Sequence, residues 1–258
     1  MNPASKISLR GVHKSFKGHK VLDDISLDIL SGESHIIIGL SGAGKSVLLK
    51  CILGLIRPDS GSILINGEDW FCLPIEDKLK RMACVGVLFQ GAALFDSMPV
   101  WENVAFVLRR QGMSKPEARD RAAEVLDWVG LPGICDIMPA ELSGGMRKRV
   151  GMARAICHRP EIIFYDEPLT GLDPVMSDVI TTLMKRLHER MNVTSLTIAH
   201  SMKLVREFSD RVSMLYEGRI YRQMARDEIE LSQDPVFRQF IEGRADGPIR
   251  LGNGGEAA

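Results

Sequence analysis

The eight residues from 39 to 46 have the types and the spacing of a phosphate-binding loop. They fit the pattern G-x-x-x-x-G-K-S/T and are Gly39, Leu40, Ser41, Gly42, Ala43, Gly44, Lys45 and Ser46. Glycines let such a loop curl until successive backbone N–H groups face the phosphates, and a following helix adds the positive end of its dipole. In that arrangement Lys45 reaches the β- and γ-phosphates, and the Ser46 hydroxyl can hold Mg²⁺. The motif predicts a nucleoside triphosphate site.

A pair of acidic residues follows an apolar segment further along the chain. Ile162–Tyr165 is predicted to be a buried strand, and Asp166 and Glu167 come directly after it. On a strand beside the phosphate loop, Asp166 would lie near the metal ion, and Glu167 would point at the water that attacks the γ-phosphate. Phosphoryl transfer needs positioning and charge stabilisation more than covalent chemistry. The alternative is a strand that simply ends in solvent with two acids, and the phosphate loop argues against it.

The segments around these residues have the periodicity that such a site requires. A short apolar strand, Ser34–Ile38, precedes the loop, and a helix is predicted for Val47–Ile56 after it. Beyond residue 160, strands and helices alternate, with predicted elements at Ile162–Tyr165, Pro174–Arg190, Thr194–Ile198, Met202–Phe208 and Val212–Tyr216. Alternating strands and helices predict an α/β sheet with ligand sites at the carboxyl ends of its strands.

Two other regions differ from this alternation. The first thirty residues are predicted to form antiparallel strands, because apolar and polar residues alternate there. Further strands are expected at Ser62–Ile65 and Cys84–Phe89. Residues from about 91 to 160 are predicted to form a helical insertion, with helices at Val100–Arg110 and Pro116–Val129 and an N-cap at Ser114. The Gly-rich residues 243–258 are predicted to be a mobile tail.

Composition excludes several classes of protein. The chain has 258 residues, and 33 Lys and Arg balance 33 Asp and Glu, so no basic excess for nucleic-acid binding is present. We therefore expect no nucleic-acid partner. No apolar run reaches the roughly 18 residues that span a bilayer, and the first twenty residues lack the apolar core of an export signal. Five separated cysteines without a C-x-x-C pair are typical of a reducing compartment. These features predict a soluble, cytosolic protein.

A third motif indicates the family that the sequence resembles. Leu142, Ser143, Gly144, Gly145 and Met146 stand at the start of a predicted helix, upstream of the acidic pair. This run resembles the signature of the ATP-binding cassette (ABC) ATPases. Four further positions are similar to that family in the same order: an adenine-stacking aromatic, the Q-loop glutamine, the D-loop and the switch histidine. They are Phe16, Gln90, Gly171–Asp173 and His200.

The resemblance implies a role for each of these residues, with ATP and Mg²⁺ as the ligands. Phe16 would stack on the adenine, and Gln90 would touch the metal and relay the nucleotide state to the helical insertion. His200 would contact the γ-phosphate. A core position for Phe16 and a surface loop position for Gln90 are the alternatives. The resemblance thus implies three catalytic residues, Glu167, His200 and Gln90, and three metal-binding residues, Ser46, Gln90 and Asp166.

The same resemblance implies an architecture and an assembly. The expected fold is an α/β P-loop NTPase of ABC type, with a mixed central sheet, an N-terminal antiparallel β subdomain and a helical subdomain. One ATPase domain would span residues 1–242. Because the family builds each site from the loop of one subunit and the signature of the other, a head-to-tail homodimer is implied. An integral-membrane permease would be the other partner, and this chain would lie peripherally at the cytoplasmic face of the inner membrane.

A finer resemblance is to the Mce-associated cassettes of the Mla type, which drive phospholipid trafficking across the Gram-negative envelope. The segments that carry it are Gln90–Met98, Glu102–Ala105 and Phe240–Pro248, with Met146 in place of the more common glutamine. It implies an Mce-domain lipid-binding protein that contacts the permease. Since the serine and glycines of the signature are retained, we expect Met146 to alter tuning and not to abolish activity.

Three alternatives to a phospholipid transporter remain open at this point. One is a cassette of another importer, for example for amino acids, or of a solvent-efflux system. A second is a soluble cassette that acts on the ribosome or DNA, although this chain has one cassette and no basic patch. A third is a nucleotide-gated subunit that barely hydrolyses ATP, which Glu167 argues against.

The remaining polar and apolar groups receive simpler interpretations. The apolar run Gly91–Arg110 is predicted to contribute partly to the core and partly to a groove for a permease helix. The basic run Arg147–Arg149 is predicted to be a solvated helix face. The histidines outside the motifs are predicted to be structural or solvated; they are His13, His19, His35, His158 and His188.

Overall fold

The strands divide between two sheets in the computed structural model, which describes residues 5–249 apart from the side chain of Leu79. The smaller sheet is antiparallel and contains β1 (Ser5–Phe16), β2 (His19–Leu30), β4 (Ser60–Ile65) and β5 (Glu68–Asp69), in the order β2-β1-β4-β5. Apolar residues of β1 and β2 alternate with polar ones, so one face of this sheet is buried. The antiparallel N-terminal sheet expected from the sequence is confirmed.

The larger sheet is mixed and carries the ends of the strands that the motifs follow. It contains β3 (Ser34–Ile38), β6 (Val85–Leu88), β7 (Ile162–Asp166), β8 (Thr194–Ile198), β9 (Arg211–Tyr216) and β10 (Arg219–Ala225). The order is β10-β9-β3-β8-β7-β6, and every pair is parallel except β9 with β10. The carboxyl ends of β3, β8, β7 and β6 therefore meet along one edge.

Nine α-helices surround the sheets within the described residues. They are α1 (Lys45–Ile52), α2 (Ile75–Met82), α3 (Val100–Val104), α4 (Phe106–Arg110), α5 (Lys115–Trp128), α6 (Gly144–Ile156), α7 (Pro174–Met191), α8 (Met202–Phe208) and α9 (Pro235–Glu242). The helical segment between β6 and β7 holds α3 to α6. Ser114 caps α5 in a capping box with Glu117, as the sequence predicts. Across residues 5–249, no helix is long and apolar enough to cross a membrane.

Some element boundaries differ from the prediction. The helix after the phosphate loop ends at Ile52 and not at 56, because Gly54 adopts a left-handed φ of 69° and its N–H caps Cys51 O at 2.9 Å. The helix expected at Val100–Arg110 is two short helices that meet at Ala105. The sequence prediction also omits α2, which starts after Pro74 with Glu76 and Asp77 in its first turn.

The mixed sheet is buried on both faces. Ile37 and Phe164 pack toward the antiparallel sheet and α1, whereas Ile36, Ile163 and Tyr165 pack toward the helical segment and α7. Because successive side chains on a strand point to opposite faces, two separate clusters form on the two sides of β3 and β7. The central parallel strands β3 and β8 are buried along their whole length, as strands covered on both faces are expected to be.

Helix α6 lies unusually close to strand β6. A Cβ added to Gly86 would lie 2.1 Å from the carbonyl oxygen of Ala155, so only glycine permits this approach. A Cβ at Gly151 would meet Leu88 at 2.8 Å in the same interface. The close packing holds α6 against the strand that leads to Gln90, so the two segments are positioned together.

The C-terminal residues depart from the predicted mobile tail. Gly243 ends α9 with a φ of 65°, and the chain then folds back onto the buried side chain of Gln239. The Gln239 amide donates to Ile249 O at 3.3 Å and accepts from Ile249 N at 2.6 Å, and Ile249 is buried. The expectation of a mobile tail is therefore wrong for residues 243–249, and the rest of that prediction, 250–258, lies outside the described residues.

Candidate nucleotide site

The loop between β3 and α1 approaches two strands so closely that its glycines are required. A Cβ on Gly39 would lie 2.2 Å from Leu215 O, and one on Gly44, with a φ of 98°, would lie 2.9 Å from Val21 O. Any side chain at these positions would force the loop away from β9 and β2. The loop therefore presents its backbone at the carboxyl edge of the sheet, as a phosphate cradle requires.

Lys45 is the first residue of α1 and is only 6% exposed. Its Nζ donates to Gly39 O at 2.8 Å and to Leu40 O at 2.9 Å, so the ammonium group lies over the loop. Burial lowers the pKa of Lys45, and the negative charges of Glu167 and Asp166 oppose that shift. The loop lysine and the acidic pair are thus close enough to interact, as the sequence predicts.

Asp166 ends β7 and has an unusual environment for a carboxylate. Burial raises its pKa, whereas the charges of Lys50, Lys148 and Lys45 lower it. Among the described residues, its Oδ1 is buried and has no hydrogen-bond partner. Buried polar atoms in proteins are nearly always paired, so this oxygen is suited to an additional ligand such as a metal-bound water.

Glu167 follows Asp166 and is held in place from several directions. Its φ is +48°, a left-handed conformation that is uncommon for a residue other than glycine. Its Oε1 lies 2.9 Å from His200 Nε2, and its Oε2 accepts from Thr170 Oγ1 at 3.1 Å. Its N–H donates to Ile198 O at 2.9 Å. The structure therefore pairs Glu167 with His200, across the ends of neighbouring strands β7 and β8.

A cavity of about 330 Å³ adjoins this pair, and Glu167, Thr170 and His200 are among its lining residues. Gln90 follows β6, which pairs with β7 in parallel, so it reaches the same edge of the sheet. Its side chain is exposed, and its carbonyl oxygen accepts from Lys148. The loop, both acids, His200 and Gln90 are therefore brought to one edge.

Phe16 and the signature residues lie on other elements. Phe16 ends β1 in the hairpin with β2, and its ring is 43% exposed, so it is not a core residue. Ser143 is the N-cap of α6 and accepts from Met146 N at 3.2 Å. Gly144 is exposed, and a Cβ on Gly145 would meet Met176 at 2.6 Å. Ser143, Gly144 and Gly145 thus form a separate helix N-terminus in the helical segment.

The prediction of a solvated face for Arg147–Arg149 is wrong at Lys148. This side chain is 5% exposed, and its Nζ donates to the carbonyl oxygens of Gln90 and Glu167. Lys148, Met152 and Ala155 recur at helical spacing on the buried side of α6, and that period was a usable signal. Thr170, which the sequence analysis does not mention, stands in an irregular turn with no such signal.

Two of the histidines outside the motifs, His35 and His158, have the structural contacts that the sequence analysis predicts. His35 is fully buried between Glu33 Oε1, at 2.7 Å from Nδ1, and Ser213 Oγ, at 2.9 Å from Nε2. His158 lies 3.1 Å from Val85 O through its Nε2. Both side chains link elements of the core, as expected for structural histidines.

A phosphate-type loop on a mixed sheet, with a helical segment inserted between β6 and β7, defines the class of P-loop nucleoside triphosphatases. Residues 22–170 match the model of the ABC transporter family, and the chain therefore belongs to that family. Its fold is that of the ABC ATPase cassettes, and the chain is an ATP-binding, ATP-hydrolysing domain of an ABC transporter. The expected fold class and enzyme class are confirmed.

Known proteins are similar to this chain over most of its length. A probable ribonucleotide transport ATP-binding protein, mkl, of Mycobacterium leprae is 41% identical over 95% of this chain and 71% of its own length. The intermembrane phospholipid transport system ATP-binding protein MlaF of Haemophilus influenzae is 37% identical, over 91% of this chain and 90% of its own. The dimeric, post-hydrolysis structure of the cassette MJ0796, bound to ADP and Pi, is 31% identical in sequence, with a TM-score of 0.78. The match covers 85% of this chain and 98% of the MJ0796 chain.

Proposed function

We propose that this chain is the ATPase subunit of an ABC transporter that moves phospholipid between the membranes of a Gram-negative envelope. The observation that carries the proposal is the near full-length similarity to MlaF, over 91% of this chain and 90% of that protein. The similarity to mkl extends over 71% of that protein's length. The residues Gln90–Met98, Glu102–Ala105 and Phe240–Pro248 support the same subfamily.

In the proposed mechanism, the triphosphate of ATP is bound by the backbone N–H groups of residues 39–46 and by Lys45. The adenine stacks on the exposed ring of Phe16. Glu167 accepts a hydrogen bond from the attacking water and polarises it, and His200, 2.9 Å from Glu167, contacts the γ-phosphate. Gln90 reports on the nucleotide from the start of the helical segment. Glu167 has a left-handed backbone, and its carboxylate contacts His200 and Thr170.

The residues at the edge fit a magnesium ion. The buried, unpartnered Oδ1 of Asp166 is the observation that supports this assignment. Ser46, Gln90 and Asp166 would hold the ion, which would neutralise charge on the phosphate oxygens when bound. Hard oxygen ligands of this kind, together with phosphate oxygens and water, are those that Mg²⁺ prefers.

We further propose that the complete ATP site forms between two copies of the chain. Ser143, Gly144 and Gly145 stand at the N-terminus of α6, on a different segment from the loop, and each copy has one of each. A head-to-tail pair would place the signature of one copy against the γ-phosphate held by the other, where helix N-termini favour anions. The dimeric structure of MJ0796 with ADP and Pi supports this assembly.

The permease would bind beside Gln90, on the surface around Phe95. Of the apolar run Gly91–Arg110, Val100, Trp101, Val104 and Leu108 are core residues. Phe95 is 41% exposed and packs on Phe106 with ring centroids 4.8 Å apart. Buried Asn103 holds the backbone under it, accepting from Phe95 N at 2.7 Å and donating to Met98 O at 2.9 Å. A cavity of about 270 Å³ is lined in part by Phe106 and Met98.

Replacing Phe95 with aspartate should break permease binding and lipid transport, because a charge would replace an apolar contact at the docking surface. We expect at least about a tenfold loss of co-purified permease, the scale of an interface hot spot. ATP binding and the melting temperature should stay near wild type, since Asn103 holds the backbone whatever the side chain at 95. Leu231→Asp, at a 74% exposed apolar residue elsewhere, is the matched control. Wild-type permease stoichiometry with folded Phe95→Asp would place docking elsewhere.

The test of the transport function is to purify the chain from its native membranes and to identify its partners. We expect a homodimer at the cytoplasmic face of the inner membrane, an integral permease and, through the permease, an Mce-domain protein. In reconstituted vesicles, ATP should drive transfer of fluorescent phospholipid. Transport of a ribonucleotide or an amino acid, with no lipid transfer, would favour one of the other importers and contradict the phospholipid assignment.

A further inference from the structure

Lys148 is a buried cation that the mechanism above does not use. It lies on α6, one turn after the signature, and is 5% exposed. Its Nζ donates to Gln90 O and, at 3.2 Å, to Glu167 O. A single ammonium group thus joins the backbone after β6 to the backbone after β7. Burial lowers the pKa of Lys148, and the charges of Asp166 and Glu167 oppose that shift.

The backbone that Lys148 binds at Glu167 needs support. A left-handed residue other than glycine costs free energy and persists only where surrounding contacts hold it. Glu167 N donates to Ile198 O. Glu167 O accepts from Lys148 Nζ and, at 3.3 Å, from Thr170 N, so both backbone polar groups of this residue are fixed. Hydrogen bonds from a charged donor are stronger than those between neutral groups. Lys148 is therefore suited to maintain the direction in which the Glu167 side chain leaves the strand.

A second cation of α6 holds the segment after Gln90. Arg154 donates to the carbonyl oxygens of Ala92 and, at 2.6 Å, of Ala93. Both alanines are left-handed, with φ values of 61° and 47°. Lys148 and Arg154 together bind three carbonyl groups within residues 90–93, so this segment is attached to α6. Only Lys148 also reaches the strand end that carries Glu167.

We propose that Lys148 is a positioning residue for ATP hydrolysis, which sets the backbone of Glu167 and joins it to the backbone of Gln90 through helix α6. Movement of the helical segment would then shift Glu167 through Lys148, without any contact between Lys148 and the nucleotide. The inference rests on the proposed role of Glu167 as the residue that polarises the attacking water. Lys148, three positions after Gly145 of the signature, would thus act on Glu167 of its own chain. The signature residues would instead contact the γ-phosphate bound by the partner copy.

The test is Lys148→Met, which keeps an unbranched apolar stem only one atom shorter and removes the donors. We expect kcat to fall about 10- to 100-fold, because small displacements of a catalytic group cost that much. ATP binding should change by no more than about twofold, because Lys148 donates to Gln90 O and Glu167 O and the phosphate loop is held by Lys45. Arg149→Gln is the matched control. This variant removes the neighbouring cation of α6. Arg149 Nη1 donates to Gly130 O at 3.0 Å and not to the backbone of Gln90 or Glu167, so kcat should stay near wild type.

A double-mutant cycle with Glu167→Gln separates positioning from general destabilisation. If Lys148 acts through Glu167, adding Lys148→Met to Glu167→Gln should lower single-turnover hydrolysis by less than threefold. An equal loss in both backgrounds, or a wild-type kcat in Lys148→Met, would overturn the proposal. Near wild-type turnover in Glu167→Gln alone would instead reject the assignment of Glu167. If Lys148→Met does not fold, Lys148→Arg, which keeps a cationic donor, should retain more kcat than Lys148→Gln, and the reverse order would also overturn the proposal.

Discussion

Glu167→Gln is expected to bind ATP normally and to hydrolyse it at least about 100-fold more slowly than the wild type, the usual scale for removing a general base. The substitution leaves the loop and Lys45 unchanged, and glutamine can still lie near His200 and Thr170. It cannot accept the proton of the attacking water. Because ATP would remain bound without turnover, the variant should accumulate as a closed, ATP-bound dimer, measurable by size-exclusion chromatography with ATP.

A binding variant supplies the contrast for that experiment. Lys45→Ala removes the ammonium group that lies over the loop, so it should weaken ATP binding itself and should not form the ATP-bound dimer. Nucleotide affinity is measured by equilibrium titration with a fluorescent ATP analogue, and turnover by phosphate release. If Glu167→Gln hydrolyses ATP near the wild-type rate, the assignment of the water-polarising residue is wrong.

Ser143→Arg is expected to abolish turnover while ATP binding to the isolated chain stays nearly unchanged. The side chain at 143 is exposed at the N-terminus of α6, and the proposed dimer brings it against the γ-phosphate held by the other copy. A bulky arginine would obstruct that approach, and loss of one such preorganised contact costs about 100-fold or more. Loss of the N-cap bond to Met146 should lower stability by only about 1 kcal/mol, which thermal unfolding can check.

Mixing variants tests whether the site is shared between copies. In a mixed dimer of Ser143→Arg and Lys45→Ala chains, one site combines an intact loop with an intact signature, and the other has both defects. Activity should therefore return on mixing, up to one competent site per mixed dimer. Full activity of purified Ser143→Arg, or no recovery on mixing beyond the sum of the two inactive proteins, would contradict the composite site.

Much of the fold was predictable because its causes are local. The five residues Ser34–Ile38 are enough to predict a buried strand. The glycines and the lysine of residues 39–46 predict a loop followed by a helix. The capping box at Ser114 and Glu117 fixes the start of α5 within one turn. Boundaries were less predictable where ends depend on single backbone contacts, as at Gly54 and Ala105.

The tertiary structure alone decides which side chains of a known segment are buried and what they touch. Lys148 belongs to a basic run that by composition resembles a solvated face, yet it is buried and donates to the backbone just after β6 and just after β7. Residues 244–249 belong to a segment that the sequence predicts to be a mobile tail, yet the Gln239 side chain binds their backbone. In both cases, the partner groups come from elsewhere in the fold and leave no trace in the local pattern.

The sequence by itself therefore determined the order of the elements and the identity of the motifs, because the period of apolar residues and the conformations of glycine act over a few residues. The tertiary structure decided the pairing of Glu167 with His200, the burial of Lys148 and the division of the Gly91–Arg110 run between core and surface. Those features depend on contacts between residues that are distant along the chain. Such contacts form only when the strands adopt the order β9-β3-β8-β7-β6 and bring their carboxyl ends to one edge.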